Sequence, residues 1–275
     1  MNKKYIDLLK NVLTDYHRIN FAEYKPLKSL TPGPLKMLLI WVNKLLKFKN
    51  YVIVKVYPTT REKRLNGQDW PAHADTMIGI KRMENIEYCV RKVIEENIPG
   101  DLIETGVWRG GATIFMRALL DAYGDQEDRT VFVADSFEGL PKPGKFGYQQ
   151  DAADEHYKQK ELAISLDSVK NNFRKYDLLD NRVIFLKGWF KDTLRKAYIE
   201  KLSILRLDGD MYGSTMDALE ALYPKVSPGG FIIVDDYYAV ASCRQAVTDY
   251  RSRKGITGPI YLIDGMGVYW RKVKE

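Results

Sequence analysis

The sequence contains few of the residues that hold transition metals or disulfide scaffolds. Its 275 residues include two cysteines, Cys89 and Cys243, which lie far apart, and three histidines that do not cluster. This spacing argues against a zinc site and against a disulfide framework, and it favours a reducing compartment. We therefore expect a cytoplasmic protein.

Long apolar runs are also missing. The first 11 residues are polar and charged, so no signal peptide is predicted. The most apolar stretch, Leu35 to Phe48, is too short to span a bilayer. It predicts either an interfacial helix on an anionic membrane, helped by Lys36, Lys44, Lys47 and Lys49, or a helix that packs on the main domain or a partner subunit. We favour packing and expect a homo-oligomer, with membrane contact as the alternative.

Positive charge is concentrated at the N-terminus. Residues 1–70 hold 14 Lys and Arg against 5 Asp and Glu, whereas the remainder holds 29 against 31. We therefore divide the chain into a basic, partly helical N-terminal extension, residues 1–67, and a nearly neutral domain, residues 68–275. A nearly neutral body does not predict a nucleic-acid groove.

A glycine turn follows a short apolar strand near the middle of the chain. Residues 101–113 read DLIETGVWRGGAT. Glycine has no Cβ, so a ligand can approach the backbone of such a turn closely. The spacing is not GxGxxG, and Glu104 before the first glycine suits a cationic or amino-bearing ligand better than a pyrophosphate. Methyltransferases that use S-adenosylmethionine have such a turn, although an ordinary strand-to-helix turn has the same pattern.

Strands and helices then alternate. Apolar strands are predicted from Asp101 and over residues 130–134, 182–186, 203–207 and 231–234, with a closing hairpin over 259–263 and 268–271. This order predicts an α/β fold with a mostly parallel sheet and a C-terminal antiparallel hairpin, the plan of the class I, Rossmann-like methyltransferases that use S-adenosylmethionine. In such sheets the ligand lies beyond the carboxyl ends of the strands.

Acidic residues follow two strands that are expected to be neighbours. Asp208 follows the fourth strand, and Asp235 with Asp236 follows the fifth. Converging carboxylates repel one another unless a cation binds them, and oxygen ligands suit Mg²⁺ or Ca²⁺. The alternative is that these acids cap helices or bind a nearby arginine. Asp210 is predicted to cap the helix that starts near Ser214.

Other strand ends suggest contacts with a nucleoside. Asp135 follows the second strand, where an acid can accept hydrogen bonds from both ribose hydroxyls, and Ser136 and Phe137 continue that turn. Gly188, Trp189 and Phe190 follow the third strand, where an aromatic wall can stack on adenine or simply pack in the core. Among the histidines, His73 is a weak candidate base, and His17 and His156 are predicted at the surface.

Eight motifs, in this order, resemble the macrocin O-methyltransferase family. They are DTMIG (75–79), ETGVWRGG (104–111), ADSFEGLP (134–141), NNFRKYDLLD (171–180), FLKGWFKDTL (185–194), LRLDGDMY (205–212), SPGGFIIVDDY (227–237) and CRQAV (243–247). The resemblance covers residues 68–272. It implies an enzyme that uses S-adenosylmethionine and Mg²⁺ to methylate a sugar hydroxyl of a small-molecule natural product.

The resemblance also implies site residues. Cofactor contacts are implied at Thr76, Met77, Glu104, Thr105, Gly106, Val107, Trp108, Gly110, Asp135, Ser136, Ser168, Gly188 and Trp189. Metal ligands are implied at Asp208, Asp235 and Asp236, and Asp208 is also the implied general base.

The sequence departs from the family pattern in three places. Gly213 stands where the family commonly has an acid, residues 263–267 differ before the last strand, and the N-terminal 67 residues match weakly. The acceptor is therefore open. A catechol-like diol is the alternative substrate, and a non-catalytic, membrane-associated module that binds S-adenosylmethionine is the alternative function.

Overall fold

Helices and strands alternate along most of the chain in the computed structural model, which describes residues 3–18, 23–26, 34–125, 129–144 and 147–273. The helices are α1 Lys3–Leu13, α2 Pro34–Lys47, α3 Arg61–Leu65, α4 Ile80–Glu95, α5 Gly111–Tyr123, α6 Leu166–Lys175, α7 Phe190–Thr193, α8 Tyr212–Leu222 and α9 Ala241–Arg253. The strands are β1 Glu23–Pro26, β2 Val54–Tyr57, β3 Asp101–Thr105, β4 Val131–Asp135, β5 Val183–Lys187, β6 Leu202–Leu207, β7 Val226–Val234, β8 Tyr261–Leu262 and β9 Val268–Arg271.

The main sheet has seven strands in the order β5-β4-β3-β6-β7-β9-β8. The first five are parallel to one another, β9 runs antiparallel to β7, and β8 runs antiparallel to β9. The predicted α/β class, the mostly parallel sheet and the C-terminal antiparallel hairpin are therefore confirmed. The strand order reverses beside β3, where open sheets of this type bind their ligands.

Buried apolar side chains form a layer on each face of this sheet. Helices α4, α5 and α6 cover one face, where Met83, Phe115 and Phe173 are buried. Helices α8 and α9 cover the other face, where Leu219 and Val247 are buried. The central strands β3 and β6 are buried on both sides, as expected for a parallel sheet sandwiched between helices.

Helix α1 belongs to this core, although it lies in the predicted N-terminal extension. Ile6, Leu9 and Leu13 recur at helical spacing and are buried against the α4–α5 layer. The carbonyl oxygen of Leu13 accepts hydrogen bonds from the backbone N–H groups of Asp75 (2.9 Å) and Thr76 (3.2 Å). The start of the chain thus fixes the segment that precedes α4.

Helix α2 confirms a predicted helix but leaves much of its apolar surface in solvent. Leu38, Trp41 and Leu45 are 57%, 61% and 56% exposed, and Phe48 just beyond the helix is 97% exposed. These side chains are therefore not buried on the main domain. Within the described ranges, no helix is long and apolar enough to cross a membrane.

Candidate active site

The glycine turn after β3 packs directly against the turn after β6. Gly106 has a φ of +88°, and a Cβ at this position would overlap the carbonyl oxygen of Asp208. The N–H of Asp208 in turn donates to the carbonyl oxygen of Thr105, at 2.9 Å. Only glycine meets both requirements, because other residues rarely adopt this conformation and all of them carry a Cβ. The two turns are therefore interlocked.

Asp135 organises the glycine turn from the neighbouring strand β4. Its Oδ2 accepts from the N–H of Val107 (2.8 Å), and its Oδ1 accepts from the N–H of Phe137 (2.7 Å). Burial raises the pKa of Asp135, while these backbone N–H groups oppose the rise. The carboxylate thus holds two turns together while it faces the cavity, where its predicted ribose contact would be made.

Trp108 gives the turn a strained residue at the cavity wall. Its φ is +47°, in the left-handed region that non-glycine residues seldom occupy. Its indole Nε1 donates to the carbonyl oxygen of Glu161 at 3.0 Å, and the Arg109 guanidinium lies 4.1 Å from its ring centroid. Arg109 also donates to the carbonyl oxygens of Ala72 (2.9 Å) and Ala74 (2.7 Å), so the turn is tied to the segment before α4.

A cavity of about 670 Å³ lies above the carboxyl ends of the strands. The predicted site residues that line it are Met77, Gly106, Trp108, Asp135, Ser136, Gly188, Trp189, Phe190 and Asp208. The structure therefore brings these residues from five separate turns to one site.

Other predicted cofactor residues do not line this cavity. They are Thr76, Glu104, Thr105, Val107, Gly110, Phe137 and Ser168. Thr76 and Phe137 are buried, and Val107 contributes its N–H to Asp135. Ser168 is exposed on the first turn of α6, where its N–H donates to the Ser165 hydroxyl at 3.2 Å. The cofactor roles of these residues stay predictions.

Three carboxylates meet beside the cavity, as the strand ends predict. Asp208, Asp235 and Asp236 each offer an oxygen within 4.8 Å of the other two. Burial, reinforced by the charge of Asp235, raises the pKa of Asp208, and burial raises the pKa of Asp236 well above its ordinary value. A bound cation would relieve this repulsion, and an all-oxygen donor set suits Mg²⁺.

Two buried arginines also bind these acids, so the arginine alternative is realised for part of the cluster. Arg206 on β6 donates to Glu104, Asp235 and the Oδ2 of Asp208 (2.7 Å for the last). Arg82 on α4 donates to Asp235 and to Asp264 (2.9 Å for the latter). Sequence reasoning missed both arginines. Arg206 could have been found from the sequence, because it is a charged residue within an apolar run that predicts a buried strand. The sequence around Arg82 gave no such signal.

Glu104 lies under the carboxylate cluster and is 1% exposed. Burial raises its pKa to about 7, although the charge of Arg206 opposes the rise. Among the described residues its Oε2 makes no hydrogen bond of good geometry, since the nearby Thr113 hydroxyl donates to the carbonyl oxygen of Gly110 at 2.9 Å. Glu104, the acid just before the glycine turn, is therefore a buried partner of Arg206.

The predicted helix cap at Asp210 is wrong. Helix α8 begins at Tyr212, and the side chain that caps it is Asp151, whose Oδ1 and Oδ2 accept from the N–H groups of Tyr212 and Gly213 at 2.8 Å each. The cap comes from a loop some 60 residues earlier, so no local pattern could have revealed it. Asp210 instead has a φ of +55° and lines the cavity.

His156 lies closer to the site than its predicted surface position suggested. Its Nδ1 is 2.7 Å from Asp154 Oδ2, and its side chain is 35% exposed. Burial lowers its pKa, but the hydrogen bond with Asp154 and the charge of Asp210 outweigh this effect and raise the pKa overall. His73, by contrast, is exposed and does not line the cavity.

Comparison with known proteins identifies the family. The macrocin O-methyltransferase (TylF) family model matches residues 2–272. The chain is 55% identical over 211 residues to 8-demethyl-8-(2,3-dimethoxy-alpha-L-rhamnosyl)-tetracenomycin-C 4'-O-methyltransferase of Streptomyces olivaceus, covering 76% of this chain and 80% of that protein. It is also 55% identical over 214 residues to demethyldecarbamoylnovobiocin O-methyltransferase of Streptomyces niveus, covering 78% and 81%.

A solved structure agrees over nearly the whole length. The O-methyltransferase NovP superposes with a TM-score of 0.83 at 45% identity, covering 98% of this chain and 99% of that one. The family model spans the described helices and strands of the main sheet, the glycine turn and the acid cluster together. The resemblance predicted from the motifs is therefore confirmed, and the chain belongs to the macrocin O-methyltransferase family of O-methyltransferases that use S-adenosylmethionine.

Proposed function

We propose that this protein transfers the methyl group of S-adenosylmethionine to a sugar hydroxyl of a glycosylated natural product, and that the transfer requires Mg²⁺. The observation that carries the proposal is a cluster of three carboxylates, one of which, Asp208, lines the cavity directly beside the glycine turn. The Streptomyces olivaceus relative, named for 4'-O-methylation of a rhamnosyl-tetracenomycin, supports a glycosylated acceptor, and the Streptomyces niveus relative is named for O-methylation of demethyldecarbamoylnovobiocin.

The cofactor is proposed to lie along the turns after β3, β4 and β5. Gly106 allows its backbone to approach closely, Asp135 faces the ribose, and Trp189 and Phe190 provide an aromatic wall for the adenine. This placement puts the sulfonium end near Asp208, because the turns of Gly106 and Asp208 are in contact.

Asp208, Asp235 and Asp236 are proposed to hold the cation. Bound Mg²⁺ would supply a positive charge that orients the acceptor and lowers the pKa of its hydroxyl. Asp208 is also proposed to accept the proton of the acceptor hydroxyl. Arg206 binds its Oδ2, so Oδ1 is proposed to be the accepting atom, and the side chain is 26% exposed at the cavity wall. Holding the hydroxyl in line with the methyl group should supply much of the rate acceleration.

The metal requirement can be tested apart from the acceptor. Binding of Mn²⁺, followed by electron paramagnetic resonance, should be lost in Asp236→Asn and retained in Asp192→Asn, an exposed control on α7. Methyl transfer by the wild type should stop in excess chelator and return with Mg²⁺. Full turnover in chelator would remove the metal from the proposal.

The acceptor can be identified with a panel of rhamnosylated and other glycosylated polyketides beside simple catechols. Formation of S-adenosylhomocysteine should be selective for the glycosides and should fall sharply in Asp208→Asn. Turnover of catechols alone would favour the aromatic-diol alternative. Cofactor binding without turnover of any acceptor would favour the non-catalytic module.

We also propose that the protein is a cytoplasmic homo-oligomer that uses the exposed face of α2. Trp41, Leu45 and Phe48 leave a large apolar surface in solvent, and such surfaces are typical of protein interfaces. Light scattering should report an oligomer for the wild type and a smaller species for Trp41→Glu, with Tyr198→Glu as an exposed control far along the chain. A wild-type monomer that floats with anionic liposomes would instead favour membrane contact.

A further inference from the structure

A loop between β4 and α6 covers part of the cavity and is held against α8 by two contacts. We call residues 140–144 and 147–151 the roof segment. Leu140 to Gly144, Gly147, Tyr148 and Asp151 line the same cavity as Asp208 and Asp210. The roof segment therefore faces the carboxylates across the space proposed for the acceptor.

Asp151 makes the fixing contact. Both of its carboxylate oxygens accept backbone N–H groups of the first turn of α8, at 2.8 Å each, and Asp151 is buried. A carboxylate at the start of a helix interacts favourably with the helix dipole and satisfies N–H groups that have no partner within the helix. Because α8 follows directly on the turn of Asp208, the contact sets the distance between the roof segment and the carboxylates.

Tyr148 makes a second contact, which depends on the absence of a side chain at residue 213. Its ring centroid lies 5.1 Å from that of Tyr212, and its hydroxyl interacts with the carboxylate of Asp217. A Cβ on Gly213 would lie 2.8 Å from Tyr148 Cδ2 and 3.1 Å from Asp151 Oδ2. Any larger residue at 213 would therefore displace the Tyr148 ring into the cavity or into solvent.

We propose that Asp151 is a positioning residue that docks the roof segment over the acceptor, and that Gly213 determines which acceptors fit by leaving room for Tyr148. The part of this inference that concerns an acceptor rests on the proposed function, whereas the docking of the roof segment on α8 does not. Asp151 acts through the position of the roof segment and takes no part in the chemical step.

Chymotrypsin tests the docking without any acceptor. Cleavage after Tyr148 requires the roof segment to leave α8, whereas cleavage after Tyr198, which is 93% exposed, serves as a reference within each sample. Relative to the reference, cleavage after Tyr148 should rise about five- to tenfold in Asp151→Ala, in line with the loss of a helix cap. It should also rise in Gly213→Ala, because the new Cβ would crowd the Tyr148 ring. Asp151→Asn keeps one carbonyl oxygen and should lie between wild type and Asp151→Ala.

Two further measurements separate positioning from general damage. The affinity for S-adenosylhomocysteine should change by less than about twofold in every variant, because the contacts that Asp151 and Tyr148 make are with the start of α8 rather than with the predicted ribose and adenine turns. Glu155→Gln, an exposed control in the same loop, should match the wild type in all assays. With a glycoside that the wild type methylates, the KM of the acceptor should rise about tenfold in Asp151→Ala and Gly213→Ala, while kcat changes much less.

The outcomes are distinct. Unchanged cleavage after Tyr148 in both variants would overturn the docking, as would a parallel loss of affinity for S-adenosylhomocysteine. A fall in kcat with constant KM would overturn the positioning of the acceptor. If the wild type methylates no glycoside but the cleavage pattern is as expected, the proposed function fails while the docking stands.

Discussion

Replacing Glu104 by glutamine should make the stability of the protein less dependent on pH. Burial raises the pKa of Glu104 from 4.5 to about 7 in the folded protein. Between these two values the folded protein holds a proton that the unfolded chain has released, so the free energy of unfolding falls as the pH rises through this window. The separation of the two pKa values, at about 1.4 kcal/mol per unit, corresponds to about 3 kcal/mol.

Glutamine at this position stays neutral at every pH. The free energy of unfolding of the wild type, minus that of Glu104→Gln, should therefore fall by about 3 kcal/mol between about pH 5 and about pH 8. Urea unfolding followed by circular dichroism, in the presence of chelator, measures this difference at each pH. Affinity for S-adenosylhomocysteine should change little, because Glu104 is buried below the cavity and does not line it.

Glu95→Gln is the matched control. Hydrogen bonds with Lys92 and Arg91 lower the pKa of this exposed carboxylate on α4, so it is ionised in both states throughout the tested range. The difference in free energy of unfolding between the wild type and Glu95→Gln should be constant with pH. If the difference in free energy of unfolding between the wild type and Glu104→Gln is equally constant, Arg206 keeps Glu104 ionised at every pH tested. The argument that burial raises its pKa would then be refuted. If cofactor affinity falls steeply instead, Glu104 contacts the cofactor, as the resemblance implies.

Further substitutions test the interlocked turns and the N-terminal helix. Gly106→Ala should destabilise the protein by at least about 2 kcal/mol and abolish cofactor binding, because the new Cβ overlaps the carbonyl oxygen of Asp208; an unchanged melting temperature would contradict this. Asp135→Asn should weaken S-adenosylhomocysteine binding about tenfold in calorimetry, since its amide cannot accept both the Val107 and the Phe137 N–H groups; equal affinity would show that these bonds do not hold the turn. Leu13→Ala should lower the free energy of unfolding by about 2 to 5 kcal/mol, because Leu13 is fully buried. A negligible loss in a denaturant titration would show that α1 is an extension separate from the core.

The sequence was sufficient for the sheet and for the position of the site. Buried parallel strands are short apolar runs, and each one here ends at a glycine or an acid. Because the carboxyl ends of parallel strands share one edge, the convergence of Asp208 with Asp235 followed from the order of the elements alone. The resemblance to the macrocin O-methyltransferase family then predicted the cofactor that this site binds.

Contacts between distant segments could not be read from local patterns. The cap of α8 comes from Asp151 rather than Asp210, because the loop crosses back over the helix start. The arginine partners of the acids come from α4 and from the interior of β6, where periodicity predicts apolar contacts. Helix α4 begins only at Ile80, since Asp75 and Thr76 before it bond to the end of α1 and Asp75 also accepts from Gly111 after the glycine turn.

The close contact between the turns of Gly106 and Asp208 has a thermodynamic consequence. Neither turn can shift without displacing the other, so a nucleoside over the first and the proposed cation at the second would act on a common element. Their binding free energies would then be linked, and linkage is reciprocal: whatever factor the ion contributed to the affinity for the methyl donor, the donor would contribute to the affinity for the ion. A dissociation constant for either ligand would then hold only at a stated concentration of the other.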